Sequence, residues 1–353
     1  MNTKITKIDR YNFKIEDLSE AAKILKKGGL VAFPTETVYG LGADGLNPEA
    51  SKKIYEAKGR PSDNPLILHI SSLSALDVLT KSTSSKGLEL AKKFWPGPLT
   101  LIFDKSEIVP YSTTGGLETI AIRMPSHPVA YELIRLSGVY VAAPSANTSG
   151  RPSPTNAQHV IDDLEGKIDY IIDSGKVDIG LESTIIDVTE DIPTILRPGY
   201  ITRSMIEKVV GPVNVDRALI SKSYDPNIVA RAPGMKYKHY APKGELIIFE
   251  GEMDKVIRRI NEITKDKIDE GYKVGIIATD ETIGAYKEGD IKTIGTRKDE
   301  DTIARGLFEI LREFDNDGVD YIFTESFDDN KLGQAIMNRL LKAAGYRVVN
   351  VID

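Results

Sequence analysis

The chain has 353 residues, which predicts about two domains at roughly 150 residues each. The absence of cysteine excludes disulfides, iron–sulfur clusters, thiolate zinc sites and a cysteine nucleophile, and the four scattered histidines predict no dedicated metal site. The net charge of −6 argues against a protein that coats nucleic acid. We see neither a signal peptide nor a run of roughly 20 apolar residues, so we expect a cytoplasmic protein with no membrane partner.

The first 210 residues are predicted to form one large α/β domain. Leu18, Ala21 and Leu25 recur at helical spacing and predict a helix over 17–27, which Gly28 ends because glycine readily adopts the left-handed cap conformation. Apolar runs and helical periodicity then alternate irregularly, which predicts a mixed, twisted sheet of undetermined strand order. The other predicted helices cover 48–58, 73–79 and 86–95, and the predicted strands cover 30–33, 66–70, 99–103, 119–123, 139–143, 170–173, 183–188 and 194–196.

Residues 211–243 are typical of a linker because glycine and proline interrupt them repeatedly. They also hold a basic and aromatic cluster over 235–240, which a plain spacer would not need. Residues 244–353 then alternate regularly between strand and helix, which predicts a smaller, doubly wound, Rossmann-like domain. Its predicted strands cover 246–250, 273–278, 319–323 and 347–351, and its predicted helices cover 253–270, 299–314 and 331–344.

The charge is divided unevenly between these domains. Residues 244–353 contain 16 basic and 24 acidic residues, whereas residues 1–243 contain 30 basic and 28 acidic residues. The whole acidic excess therefore lies in the last third of the chain. The first two-thirds are the better place to expect binding of an anionic ligand.

One glycine pattern invites a dinucleotide-binding interpretation. The segment from Gly40 to Gly45 matches GxGxxG, but it follows a polar turn and is followed by another turn at Leu46–Pro48. A dinucleotide fingerprint must lie between the first strand and the start of its helix. A nicotinamide-dependent enzyme is therefore kept only as a third alternative, and no GxxxxGK[ST] phosphate loop is present.

Two polar motifs far apart in the sequence form the strongest candidate site. The first places Lys58 at a helix end and Arg60 and Asn64 in the loop that follows. The second places Ser145 and Asn147 directly after an apolar strand, where α/β sheets commonly bind ligands. Each has an ordinary structural explanation, since a lysine can cap a helix dipole and serine and asparagine are common in turns.

Further polar residues lie at the ends of other predicted strands. Thr35 and Thr37 follow one strand, His69 lies within another, and Arg123 ends a third. A buried guanidinium needs an anion or a hydrogen-bond network. Together with Ser183 and Arg197, these residues suit a polyphosphate and a carboxylate as ligands.

These motifs resemble the YrdC-type threonylcarbamoyl-AMP synthases, and the linker and C-terminal module resemble the long, two-domain branch of that family. The resemblance implies a reaction in which L-threonine, bicarbonate and ATP give threonylcarbamoyl-AMP and pyrophosphate. A downstream tRNA threonylcarbamoyl transferase would then use the adenylate to modify the adenosine next to the anticodon. The matching segments are PTETVYGLG (34–42), KGRPSDNPL (58–66), WPGPLT (95–100), IRMP (122–125), APSAN (143–147), ESTI (182–185), RPG (197–199) and APGMKYKHYAP (232–242).

The resemblance also implies roles for individual residues. Catalysis is expected from Lys58, Arg60, Ser145 and Asn147. Threonine is expected to be bound by Thr35, Thr37, His69, Arg123, the Ala143 backbone and Ser183. ATP, arriving with Mg²⁺ held mainly by phosphates and water, is expected to be bound by Lys58, Arg60, Asn64, Thr119, Ser145, Ser153, Arg197 and Tyr240.

Two hypotheses go beyond this assignment. Tyr240 and its neighbours in the linker suggest a lid that excludes water from the labile adenylate. The alternative function is a binding module for structured RNA without turnover, based on local positive charge alone because no aromatic RNA-stacking motif is present. For the synthase itself, a weak contact with tRNA is also among the expected partners. The role of the C-terminal domain and the identity of any general base stay open.

Overall fold

The computed structural model describes residues 2–220, 231–233, 239–328 and 332–352. The described residues divide into two units. The first contains residues 2–149, 153–220 and 231–233, and the second contains residues 150–152, 239–328 and 332–352. The three-residue segment Gly150–Pro152, which the sequence assigns to the large domain, thus belongs to the second unit. None of the helices in these residues is long and apolar enough to cross a membrane.

The first unit is built on an eleven-stranded mixed sheet. Its strand order is β1-β8-β2-β3-β7-β4-β6-β5-β9-β10-β11, and parallel and antiparallel neighbours alternate irregularly along it. The strands are β1 (Lys4–Lys7), β2 (Val31–Phe33), β3 (Gly40–Asp44), β4 (Ile67–His69), β5 (Leu99–Asp104), β6 (Thr119–Arg123), β7 (Val141–Ala142), β8 (Tyr170–Asp173), β9 (Thr184–Asp187), β10 (Thr194–Arg197) and β11 (Asn214–Val215).

Helices connect these strands and cover the sheet. They are α1 (Ser19–Lys26), which follows a 3₁₀ turn at Ile15–Leu18, and α2 (Pro48–Lys58), α3 (Ala75–Leu79), α4 (Ser85–Phe94), α5 (Tyr111–Thr114), α6 (Pro128–Ser137), α7 (Ala157–Leu164), α8 (Arg203–Val210) and α9 (Arg217–Ile220). Helices α5 to α9 and strands β1, β3 and β11 were not predicted. Strand β11 and helix α9 correct the expectation that residues 211–220 carry little regular structure, because Asn214 and Val215 pair with β10.

The sheet buries apolar side chains on both faces. Val31 and Phe33 of β2 pack in one cluster with α1 and α6, whereas Ala32 packs in a second cluster with α2 and α4. Successive residues of a strand point to opposite faces, so one short strand contributes to both clusters. Strands this deeply buried read as continuous apolar runs, which explains why β2 could be predicted from only a few residues.

Helix α2 has well-defined ends that fix the position of its last residue. The Asn47 side chain accepts hydrogen bonds from the amides of Glu49 and Ala50, and Pro48 occupies the first turn. Gly59 ends the helix in the left-handed conformation, with φ of 60°. Lys58 is therefore held in the last helical turn and is 1% exposed.

The GxGxxG segment is strand β3 and not a phosphate-binding turn. Residues Val31–Phe33 pair with it on one side and β7 pairs on the other. A methyl group on Gly42 would lie 2.7 Å from Phe33 Cε1 and 2.8 Å from Val141 Cγ1, so Gly42 is required by close packing. This removes the structural basis of a nicotinamide-binding function.

We expect the substitution Gly42→Ala to destabilise the first unit by about 1–3 kcal/mol, because the new methyl group overpacks the core. Gly40→Ala in the same strand is the matched control, since its nearest neighbour would lie at an ordinary 3.4 Å. Trp95, the one tryptophan of the chain, lies in the first unit, so its fluorescence during urea unfolding reports on that unit. Equal stability of the two variants would contradict the packing argument.

The second unit has a five-stranded parallel sheet of order β14-β13-β15-β12-β16. Its elements are β12 (Glu245–Gly251), α10 (Met253–Asp269), β13 (Val274–Ala278), β14 (Asp290–Thr293), α11 (Glu300–Asp317), β15 (Tyr321–Glu325), α12 (Gly333–Ala343) and β16 (Val348–Val351). The predicted strands and helices are all present, and β14 was missed because its sequence, DIKT, is mostly polar and partly exposed. Within this unit Arg312 donates two hydrogen bonds to the Pro152 carbonyl, at 2.6 and 3.1 Å.

Candidate active site

Lys58, Ser145 and Asn147 come together and are called the lysine group below. The Lys58 ammonium donates to the backbone carbonyl of Ser145 at 2.5 Å and to that of Asn147. The Ser145 hydroxyl donates to Asn147 Oδ1 at 2.6 Å. Two motifs separated by 87 residues are thus in direct contact, and a buried cation lies among carbonyl oxygens.

Arg60 and Asn64 form the adjoining loop. Arg60 Nη2 donates to the Pro65 carbonyl at 3.1 Å, and the Asn64 carbonyl lies 3.4 Å from both Arg60 Nε and Nη2. Asn64 is buried, and its side-chain Oδ1 has no hydrogen-bond partner within the part of the chain that the structure describes. The loop therefore holds a second buried cation and a buried amide oxygen that is available to a ligand.

A second group surrounds Arg123 at the end of β6. Arg123 Nη1 donates to the Thr37 hydroxyl at 2.9 Å, and that hydroxyl lies 2.9 Å from the Thr35 hydroxyl. Arg123 Nη2 lies 2.6 Å from Glu36 Oε1, and both side chains are buried. The sequence predicted Thr35, Thr37 and Arg123 as site residues, whereas the Glu36 carboxylate between the two threonines was noticed in the motif but given no role.

A row of polar side chains joins Arg123 to Arg197 across four neighbouring strands. Arg123 is paired with Thr100 of β5, whose hydroxyl lies 2.7 Å from that of Ser183. Arg197 Nη2 then donates to the Ser183 hydroxyl at 3.2 Å, and its Nε donates to the Ser183 carbonyl at 3.0 Å. Thr100 was missed, because it reads as an ordinary strand residue in the sequence.

Backbone pairing links the Arg123 group to the lysine group. The Leu41 amide donates to the Pro144 carbonyl, and the Ala146 amide donates to the Tyr39 carbonyl. The segment after Thr35 and Thr37 therefore lies alongside the segment that holds Ser145 and Asn147. The structure thus places the segment of Thr35 and Thr37 beside the segment of Ser145 and Asn147.

Three predicted residues have positions that limit or leave open their roles. The Ala143 amide donates to the Ile67 carbonyl at 2.9 Å, so only the Ala143 carbonyl is left to contact a ligand. The Ser153 hydroxyl donates to Glu182 Oε1 at 2.5 Å, and Glu182 immediately precedes Ser183. Thr119 opens β6 opposite Asp104 and is partly exposed, and its role stays a prediction.

Tyr240 belongs to the second unit. Its ring packs against the rings of Phe308 and His239 in tilted contacts, with centroid distances of 5.1 and 5.5 Å. Its φ of 65° is the left-handed conformation that non-glycine residues rarely adopt. The role of Tyr240 in ATP binding and in a lid stays a prediction. Residues 235–238 of the predicted cluster lie outside the described residues.

Two buried histidines are held in the neutral form. Burial and the nearby positive charge of Arg123 lower the pKa of His69 to about 3. Burial, assisted by Arg10, lowers the pKa of His127 to about 4. His69 lies next to Arg123 across the β4–β6 pair, so an uncharged imidazole adds no repulsion beside that guanidinium.

We expect the first unit to lose stability as the pH falls from 7 to 5. Each histidine has a lower pKa in the folded protein than the 6.5 of an unfolded chain, so its contribution is complete above pH 6.5 and is lost toward its folded pKa. The loss is about 2 kcal/mol per histidine over this range. Urea unfolding followed by Trp95 fluorescence measures the free energy of unfolding at each pH. In the variant His127→Gln, the loss of this free energy between pH 7 and 5 should be smaller by the part that His127 contributes. A stability independent of pH would contradict the argument.

No group of three or more histidine, aspartate or glutamate side chains that could hold a metal ion is found in the parts of the chain that the structure describes.

The chain is similar to known proteins over both of its units. The Sua5–YciO–YrdC family model, described as Telomere recombination, matches residues 23–199, and the model of the threonylcarbamoyl-AMP synthase C-terminal domain matches residues 201–345. A threonylcarbamoyl-AMP synthase of Pyrococcus abyssi is 52% identical over 331 residues, covering 94% of this chain and 95% of the relative. The chain belongs to the threonylcarbamoyl-AMP synthase family.

Other members of the threonylcarbamoyl-AMP synthase family agree with this placement. The Bacillus subtilis threonylcarbamoyl-AMP synthase is 50% identical over 333 residues, covering 94% of both chains. The crystal structure of Pyrococcus abyssi Sua5 complexed with L-threonine has a TM-score of 0.92 and 48% identity, covering 100% of both chains. The predicted family and fold class, a large mixed sheet followed by a smaller doubly wound domain, are confirmed.

Proposed function

We propose that the protein is a nucleotidyltransferase that forms L-threonylcarbamoyl-AMP and pyrophosphate from L-threonine, bicarbonate and ATP. The observation that carries the proposal is the polar region in which the hydroxyls of Thr100 and Ser183 lie between Arg123 and Arg197, and in which backbone pairing places the lysine group alongside the Arg123 group. One ligand of this region would be a polyphosphate and the other a carboxylate. Relatives about half identical to this chain carry the name of this activity.

The chemistry requires two anions to react with each other. The threonine amine and bicarbonate first give a carbamate and release water, and a carbamate oxygen then attacks the α-phosphorus of ATP while pyrophosphate leaves. Charge neutralisation and positioning are the main requirements, because no covalent enzyme intermediate is needed. Buried cations meet this need: Lys58 and Arg60 would contact the phosphates, and Arg197, at the other end of the row of polar side chains from Arg123, would also contact ATP.

The threonine subsite would lie around Arg123. Its guanidinium can pair with the substrate carboxylate, and the neutral His69 and the hydroxyls of Thr35 and Ser183 can contact the remaining polar groups. Mg²⁺ would arrive with ATP, and phosphates and water would provide most of its ligands. When bound, it would neutralise part of the phosphate charge.

Release of pyrophosphate from ATP tests the proposal directly. We expect release only when L-threonine and bicarbonate are both present, and we expect mass spectrometry to detect the adenylate as the second product. ATP consumption that does not depend on L-threonine, or does not depend on bicarbonate, would contradict the proposal. Salt-sensitive binding of structured RNA without turnover would instead support the binding-module alternative.

The chemistry of the adenylate product indicates which kind of enzyme uses it next. An acyl adenylate is labile, so we propose that a tRNA threonylcarbamoyl transferase consumes it in the cytoplasm, with at most a weak tRNA contact by this protein. Addition of such a transferase and unmodified tRNA should convert the accumulated adenylate into modified adenosine. Unchanged adenylate in this coupled assay would contradict this step alone.

A further inference from the structure

Glu36 and Arg123 form a buried ion pair that is incompletely satisfied. Glu36 is 5% exposed and Arg123 is 4% exposed, and their closest atoms are 2.6 Å apart. Glu36 Oε1 and Arg123 Nη2 form this ion pair with each other, and neither atom has a hydrogen-bond partner among the residues that the structure describes. Buried polar atoms are almost always hydrogen-bonded, so each of the two atoms is available for a hydrogen bond with a ligand that carries both an anionic and a cationic group.

The backbone around Glu36 holds its carboxylate in place. Glu36 Oε2 accepts a hydrogen bond from the Ser126 amide at 3.2 Å, and the Glu36 carbonyl accepts one from the Ile179 amide at 2.9 Å. The neighbouring hydroxyls of Thr35 and Thr37 lie 2.9 Å apart. The carboxylate is therefore positioned by the fold and does not depend on Arg123 alone.

The charge of the pair selects the charge of its ligand. A lone buried arginine would be balanced by a simple carboxylate, whereas an arginine already paired with a carboxylate is electrically neutral. Binding of a simple carboxylate would then leave one uncompensated negative charge in a buried site. A ligand that brings a carboxylate and an ammonium group leaves the site neutral.

We propose that Glu36 is the specificity-determining residue that makes this subsite bind amino-acid zwitterions and reject simple carboxylates. Arg123 Nη2 receives the ligand carboxylate, and Glu36 Oε1 receives its ammonium group. The neutral His127 places no competing positive charge beside Glu36. This inference rests on the proposed function, because it takes the Arg123 group as the subsite for L-threonine.

The test compares two ligands that differ in one group. L-Threonine carries an ammonium group, and 2,3-dihydroxybutanoate of matching stereochemistry carries a hydroxyl in its place. In calorimetric titrations of the full chain we expect Glu36→Gln to weaken threonine about 10- to 100-fold, as for loss of a hydrogen bond to a charged group. The dihydroxybutanoate should bind unchanged or more tightly. A parallel weakening of both ligands would show a merely structural role and overturn the proposal.

Controls separate this inference from the proposed function. Asp178→Asn, which removes a carboxylate from the exposed pair with Arg10, should leave the preference for threonine unchanged. Glu36→Asp keeps the charge and should keep that preference, even where Glu36→Gln folds poorly; loss of the preference in Glu36→Asp would count against the proposal. Failure of the wild-type protein to bind threonine would instead contradict the proposed function.

Discussion

Replacement of Lys58 by alanine is expected to lower the rate of adenylate formation about 10²- to 10³-fold, since one preorganised electrostatic contact to a developing charge contributes about 2.7–4 kcal/mol. The physical reason lies in the surroundings of the ammonium group. Lys58 is 1% exposed and lies against the carbonyls of Ser145 and Asn147, so its charge acts in a medium of low dielectric constant. A phosphate that enters this region gains far more from Lys58 than from an exposed lysine.

The measurement is the initial rate of pyrophosphate release at saturating substrates. Lys52→Ala is the matched control, because Lys52 lies on the same helix α2 but is exposed. Lys58→Ala also leaves two carbonyls without a donor and should cost about 1–3 kcal/mol in stability, so rates are compared below the unfolding temperature. A near-normal rate for Lys58→Ala, or an equal loss for Lys52→Ala, would remove Lys58 from the catalytic group.

The lysine group shows which features of the site could be predicted from the sequence. Each motif can be recognised from neighbouring residues alone. Lys58 lies at a helix end that Gly59 terminates, and Ser145 follows the end of an apolar strand. Their chemistry and the family resemblance predicted that they share a ligand. Their spatial relation depends on strand pairing over 87 residues, which no local pattern contains.

Other parts of the fold and site could not be predicted for similar reasons. Strand β7 has two residues and β4 has three, so periodicity cannot reveal their neighbours. Strand β3 was hidden because its glycines suggested a turn, whereas close packing against Phe33 requires Gly42. Helix α7 was hidden because the Pro- and Ser-rich stretch before its cap, Asn156, suggests a loop.

Glu36 illustrates a different limit of sequence reasoning. Its side chain is charged, so the sequence favours exposure, but the fold buries it against a guanidinium that comes 87 residues later. Burial of a charge is a tertiary property, and a motif shows only that the carboxylate is present. The pair also explains why Arg123 can occupy the interior of a sheet.

The second large effect is expected for Arg123→Met. This change leaves the Glu36 carboxylate buried without its cation, and loss of one partner of a buried pair costs about 3–5 kcal/mol. The same variant should lose measurable binding of L-threonine. Urea unfolding followed by Trp95 fluorescence isolates the first unit, and calorimetry measures the ligand.

The double variant Glu36→Gln with Arg123→Met separates stability from recognition. Removal of both charges leaves no uncompensated ion, so most of the stability lost in Arg123→Met should return, as for buried pairs replaced by uncharged groups. Threonine binding should not return, because the double variant has neither the guanidinium nor the carboxylate. Additive losses of stability would show that the two side chains are not coupled. A double variant that still binds threonine would move the threonine subsite away from Arg123, since the two charges would then contribute only to folding.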